Sequence, residues 1–291
     1  MTNVRVIPRL DIKGPNLVKG IHLEGLRVLG KPRDFARYYY ERGADELIYQ
    51  DVVASLYERN SLHDLITRTA KEIAIPLTVG GGLRSIGDIR DVLRAGADKV
   101  CLNTAAIKDP NLINEAAYAF GSSTIVIAIE AIRQKDNSYL VYTDHGREYT
   151  GVEVVEWAKK VETLGAGEIL LTSVDRDGTG LGYDIALTKM TTAAVSIPVI
   201  AHGGPGNVSH ISTAIDDGGA DAVAVASMLH YDFIMGQESS PELGREGNTT
   251  FLQSGRNFSK VNPSGLPVIK EHLLACGVNC RPAIVPGDLC V

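Results

Sequence analysis

The chain has 291 residues, 44% hydrophobic and 22% charged, a globular composition that supplies a large core and contains no apolar run near the roughly 20 residues needed to cross a bilayer. A net charge of −6 argues against general affinity for nucleic acid but leaves room for a local basic phosphate site. At this length one (β/α)8 barrel of about 250 residues is as natural as two smaller domains.

The N-terminus "MTNVRVIPRLDIKG" shows no separate signal segment, so a cytoplasmic location is expected. From there, short β-branched runs alternate with amphipathic stretches. The runs are "RVIPRLDI", "ELIYQDVV", "IPLTVGG", "KVCLNTAA", "TIVIAIEA", "EILLTSVD", "IPVIAHGG" and "AVAVASML". Between them lie segments such as "PRDFARYYYERGA", "SIGDIRDVLRAGA" and "GVEVVEWAKKVETLGAG", apolar at helical spacing and often ending in Gly-Ala, a helix stop. Near-continuous apolar strands, each followed by a helix, call for a parallel sheet covered by helices. Eight of them suggest closure into a single (β/α)8 TIM barrel.

An internal repeat sharpens this expectation. "GADELIYQD" and "GAGEILLTS" start 122 residues apart, at Gly43 and Gly165, and "IPLTVGGGLRS" and "IPVIAHGGPGN" keep the same 122 through Pro76 and Pro198. "GADKVCLNTA" and "GADAVAVASM" match at 123, through Gly96 and Gly219. A near-constant offset over three elements in order predicts two duplicated half-barrels, about 1–121 and 122–291. The first strands of the halves then correspond as well, which sets Asp11 opposite Glu130 at the carboxyl ends of strands one and five.

In such barrels the active site lies at the carboxyl-terminal face of the strands, so Asp11 and Glu130 are candidates for acid and base work on one substrate. A helix cap or an ion pair with Lys13 or Arg133 is the competing role for either carboxylate. "VGGGLRS" and "HGGPGN" bring bare backbone amides to that face near helix starts, where free N–H groups attract anions. Asn103, Thr104 and Ser227 add polar side chains there. Repetition of the glycine clusters predicts two phosphate sites across the mouth, and a long ligand phosphorylated at both ends. The segment from Lys13 to Pro32 is about 20 residues long, against the usual 2 to 6, and reads as a lid carrying Lys19.

On the opposite face Arg5, Glu46, Lys99 and Glu168 stand at the beginnings of strands one, two, four and six, and can close a salt-bridged ring. Bottom-face residues usually serve stability. Four converging charges are nevertheless costly to desolvate and are not required by packing. The four cysteines, Cys101, Cys276, Cys280 and Cys290, show no metal-ligand spacing and read as reduced thiols, and neither metal nor cofactor is expected.

"IPRLDIK", "LVKG", "GADEL", "IPLTVGGGLRS", "LRAGADKV", "GAGEILLTSVDRDGT" and "IPVIAHGG" together resemble the cyclase subunit of imidazole glycerol phosphate synthase, from about residue 3 to residue 233 and again in the last helix. The resemblance implies that Asp11 and the strand-five acid act as acid and base. Ammonia would be incorporated into the bisphosphate phosphoribulosyl formimino aminoimidazole carboxamide ribonucleotide (PRFAR), yielding imidazole glycerol phosphate and aminoimidazole carboxamide ribonucleotide (AICAR) for histidine biosynthesis. It implies phosphate sites at Gly82, Asn103 and Thr104 and at Asp177, Gly178, Gly204 and Ser227, with Lys19 on the lid. It makes the ring of Arg5, Glu46, Lys99 and Glu168 a gate for ammonia from a glutaminase subunit docked on the bottom face.

Three departures stand against that pattern. Glu130 replaces an expected aspartate, and the extra methylene moves the carboxylate by roughly 1 Å, a displacement that can cost about 100-fold in rate. Arg9 replaces the usual cysteine. A polar Gly/Ser/Asn-rich insertion, about 234–265, follows strand eight. "IPRLDIKGPNLVKG" and "IHLEGLRVLGKP" resemble a paralogue branch that delivers ammonia for amidation of surface-polysaccharide sugars, with altered or lost cyclase activity. The sister isomerase of the pathway is a third reading, and the charged ring counts against it.

Overall fold

The computed structural model describes residues 3–54, 62–236 and 260–284. In chain order, β1 (Arg5–Lys13) runs into an antiparallel hairpin, β2 (Asn16–Ile21) and β3 (Glu24–Gly30), followed by α1 (Pro32–Glu41). Then come β4 (Leu47–Asp51), α2 (His63–Ala70), β5 (Leu77–Gly80), α3 (Ile86–Ala95), β6 (Lys99–Leu102), α4 (Thr104–Lys108) and α5 (Asn111–Phe120). The pattern restarts with β7 (Ile125–Arg133), which also runs into a hairpin, β8 (Tyr139–Thr143) and β9 (Glu148–Glu153), before α6 (Val154–Thr163). β10 (Glu168–Ser173), α7 (Ile185–Thr192), β11 (Val199–His202), α8 (Val208–Asp216), β12 (Ala222–Val225), α9 (Ser227–Gly236) and α10 (Leu266–Ala275) follow.

The strands β1, β4, β5, β6, β7, β10, β11 and β12 pair in parallel in that order, and β12 pairs with β1, so the sheet closes into a (β/α)8 barrel. Closure follows from residues that are apolar on both faces. Along β1 the side chains alternate: Val6, Leu10 and Ile12 belong to the cluster beneath the helices, while Ile7 joins Ile48, Val126, Leu170 and Ile200 in a separate cluster inside the barrel. The helix signals behave as their chemistry requires. Ser85 caps α3 by accepting from the Asp88 amide, and the helix ends at Gly96 with φ of 117°, backbone that a side chain would strain.

The segment from Lys13 to Pro32, expected as a long loop, is a β-hairpin continuing from β1, with Asp11 paired to Val18 across it. The hairpin after β7 occupies the equivalent place in the second half, with Glu130 paired to Tyr142. Residues 237–259 of the expected insertion lie outside the described residues, as does Cys290. Among the described residues no helix is long and apolar enough to cross a membrane.

Candidate active site

Because strand side chains alternate with period two, Arg5, Ile7, Arg9 and Asp11 share one face of β1 and rise in a line from the strand's start to its carboxyl end. The same parity runs through Glu46, Ile48 and Gln50, through Lys99 and Cys101, and through Glu168, Leu170 and Thr172. The barrel is therefore filled in tiers: charges at the base, an apolar middle, and a polar tier at the mouth.

The base tier is a closed ring. Arg5 bonds both Glu46, at 2.8 Å, and Glu168. Lys99 Nζ lies 3.1 Å from each of the same two carboxylates, and Thr78 donates to Glu46 at 2.7 Å. Glu46 and Glu168 are buried, and the two cations are only partly so, which leaves the ring accessible from the bottom of the barrel.

The mouth tier is denser in charge. Arg9, 2% exposed, sets its Nε 2.9 Å from Asp11 Oδ1 and directs its Nη1 to Thr172 Oγ1 at 3.2 Å and His202 Nδ1 at 3.1 Å. Lys19 reaches down from the hairpin, bonding both Asp177 oxygens at 2.9 and 2.7 Å and lying 3.6 Å from Asp11 Oδ2. Two buried cations thus balance two buried anions. Burial would raise the Asp11 carboxyl, but Arg9 and Lys19, helped by His145 and His202, outweigh it and hold Asp11 far below the usual carboxylate range. Asp177 is lowered in the same way: burial is overcome by Lys19. His202 is pushed down to about 3 by burial and the Arg9 charge, so its ring is neutral.

Among the described residues Glu130 forms no ion pair. Its carboxylate accepts from the Gly146 amide at 2.8 Å, while burial pushes its pKa up to about 7 against the pull of Arg9. Asp11 is a fixed anion and Glu130 a group able to exchange a proton near neutrality, so environment pulls the two acids apart.

Of the sequence-predicted mouth residues, Asp11 and Lys19 are buried and line neither of two cavities there; the others do. Gly82, Asn103, Thr104 and Glu130 line one of about 160 Å³, together with Gly81, Arg84, Lys108 and His145. Asp177, Gly178, Gly204 and Ser227 line a second of about 10 Å³, room for roughly one water, with His202 and Gly203. The lid lies against the loop that lines this second cavity. The His22 amide donates to Asp177 O at 2.9 Å, and a Cβ on Gly178, whose φ is +73°, would stand 2.5 Å from Gly20 O. Among the described residues no group of His, Cys, Asp and Glu is arranged to hold a metal.

His202 was visible in "IPVIAHGG" but carried no spacing signal, and His145, in the turn between β8 and β9, carried none at all. The profile of the histidine biosynthesis protein family matches residues 5–234. The chain is also 56% identical over 212 residues, 73% of its own length and all of the relative's, to a Legionella pneumophila protein named imidazole glycerol phosphate synthase subunit HisF.

Proposed function

The chain belongs to the histidine biosynthesis protein family, and on that premise we propose that it is a cyclase subunit of the imidazole glycerol phosphate synthase type. PRFAR would lie across the mouth, one phosphate at Gly82, Asn103 and Thr104, the other at Asp177, Gly178, Gly204 and Ser227. Amides and polar side chains receive the phosphates, and Lys19 leaves Asp177 to neutralise the second one. Ammonia would come from a glutaminase subunit docked at the base, through the ring of Arg5, Glu46, Lys99 and Glu168. A cytoplasmic location accompanies this reading.

One observation supports it most: two acids at the ends of opposite barrel strands, Asp11 and Glu130, stand at the mouth with contrasting protonation. In the chemistry of this reading, Asp11 stabilises developing positive charge as ammonia adds, while Glu130 takes and returns the proton. The test is ammonia-dependent turnover of PRFAR by the purified protein, with Asp11→Asn and Glu130→Asp beside it. Formation of imidazole glycerol phosphate and AICAR, lost in Asp11→Asn, is the expected result; no turnover by the wild type removes the reading.

The Arg9–Asp11 ion pair favours a second reading, in which the barrel passes ammonia to an enzyme that amidates a surface-polysaccharide sugar. A guanidinium bonded to Asp11 occupies the polar tier directly and takes one carboxylate oxygen from any ligand. Turnover that appears only in Arg9→Cys or Glu130→Asp would support this second role.

A further inference from the structure

The turn joining β8 to β9 holds Asp144 and His145 at φ of 50° and 63°, ahead of Gly146 at 75°. Left-handed backbone is sparsely populated by residues that carry a Cβ and persists only where the surroundings enforce it. Here three contacts do so: Thr104 Oγ1 donates to Asp144 Oδ1 and accepts from the Asp144 amide, each at 3.3 Å, and the Gly146 amide donates to Glu130 at 2.8 Å. The turn is pinned at one end to the first phosphate cluster and at the other to the proton-exchanging acid. His145 is the residue suspended between them.

Its imidazole, 7% exposed, lines the 160 Å³ cavity beside Glu130 and Asn103. Nε2 is buried without a hydrogen-bond partner among the described residues, and so is Asn103 Oδ1 on the same cavity. Buried polar atoms are nearly always paired, so two orphans on one cavity call for a ligand that pairs them. Burial, aided by Arg9 and Lys19, holds the imidazole down at about 4 against the pull of Asp11 and Asp177. A neutral ring suits a hydroxyl or carbonyl group better than a phosphate, and the phosphate donors are already supplied by the Gly82 backbone and the cations Arg84 and Lys108.

We propose that His145 is the residue of this cavity that recognises the sugar chain, its Nε2 hydrogen-bonding a hydroxyl or carbonyl oxygen of a phosphorylated sugar whose phosphate sits at Gly82 and Thr104. The assignment rests on the bisphosphate reading of the mouth and adds to it the group that reads the carbon chain beside Glu130. The strained turn then has a purpose: it brings a neutral imidazole to the cavity that Glu130 lines from its barrel strand.

The test uses His145→Asn and His145→Gly in the full chain, both residues tolerating left-handed backbone, so loss of fold does not confuse the outcome. D-Ribulose 5-phosphate and inorganic phosphate are titrated by calorimetry, and the ring nitrogens of 15N-histidine-labelled wild type are followed by NMR. Both variants should bind the sugar phosphate about tenfold more weakly, as expected for one lost hydrogen bond, with phosphate affinity and Tm kept. The Nε2 resonance of His145 should move with D-ribulose 5-phosphate and stay with phosphate alone. Unchanged affinity in the variants overturns the proposal, as does an unmoved resonance at saturation, failure of the wild type to bind the sugar phosphate, or a lowered Tm with binding intact. Failure of the cyclase reading is separate: it is absence of PRFAR turnover while D-ribulose 5-phosphate still moves the His145 resonance.

Discussion

Arg9 Nε lies 2.9 Å from Asp11 Oδ1, an ion pair formed within a single strand, both side chains buried and both facing the barrel axis. Pairs of this kind are costly to assemble and more costly to break, because a lost partner leaves a charge uncompensated. The Arg9 charge also pulls down the Glu130 pKa that burial raises.

Arg9→Met should therefore destabilise the protein by about 3–5 kcal/mol, since among the described ion pairs Asp11 would keep that with the Lys19 ammonium, at 3.6 Å. Adding Asp11→Asn removes the stranded charge and should restore much of that loss. Denaturant unfolding of the two single variants and the double variant measures the coupling. Additive losses would mean that the pair is not a stability unit.

Gly178 predicts how the lid responds to a single methyl group. Gly178→Ala places a Cβ 2.5 Å from Gly20 O on left-handed backbone, a strain of about 1–3 kcal/mol that is relieved by lifting the hairpin. Lys19, now 4% exposed and held by Asp177, would come free. Limited trypsin digestion should cleave at Lys19 or Arg27 roughly tenfold faster than in the wild type, and the KM for a phosphorylated ligand should rise. Unchanged digestion would mean that the lid does not rest on this contact.

Much of this arrangement was legible because barrels place function at strand ends. Asp11 and Glu130 end apolar runs, and Arg5, Glu46, Lys99 and Glu168 begin them, so run boundaries alone assigned each to a face. The hairpin β2–β3 was not legible: β3 has mostly exposed or half-buried residues and lacks a clean alternation. Nor were the contacts that set the electrostatics. Lys19 meets Asp177 across 158 residues of chain, and Arg9 meets His202 across 193, separations that no local pattern encodes.

The basal ring yields a prediction about coupling. Lys99 bridges Glu46 and Glu168 at 3.1 Å each, and without it Arg5 alone faces two buried carboxylates. In Lys99→Met the ring should lose its closed form. Under the proposed function, turnover supported by glutamine through the glutaminase subunit should fall several-fold, while turnover supported by added ammonia, which reaches the mouth from solution, should not change. Equal effects on both would remove the base from the ammonia route.

Glu130 gives a test that needs no substrate. Its folded pKa of about 7 stands above the ordinary 4.5 because burial disfavours the carboxylate. Between those values the unfolded chain releases the proton while the folded protein keeps it, so the unfolded state binds fewer protons and stability must fall as pH rises. The stabilisation tied to the protonated acid is complete below about pH 4.5 and lost by about pH 7, a total of about 3 kcal/mol. Glu130→Gln can still accept from the Gly146 amide but carries no titrating proton. It should match the wild type near pH 4.5 and exceed it by about 3 kcal/mol at pH 8. Denaturant unfolding across this range is the measurement. Parallel curves for the two proteins would place the Glu130 pKa back in the ordinary carboxylate range and deprive the mouth of its proton-exchanging group at neutral pH.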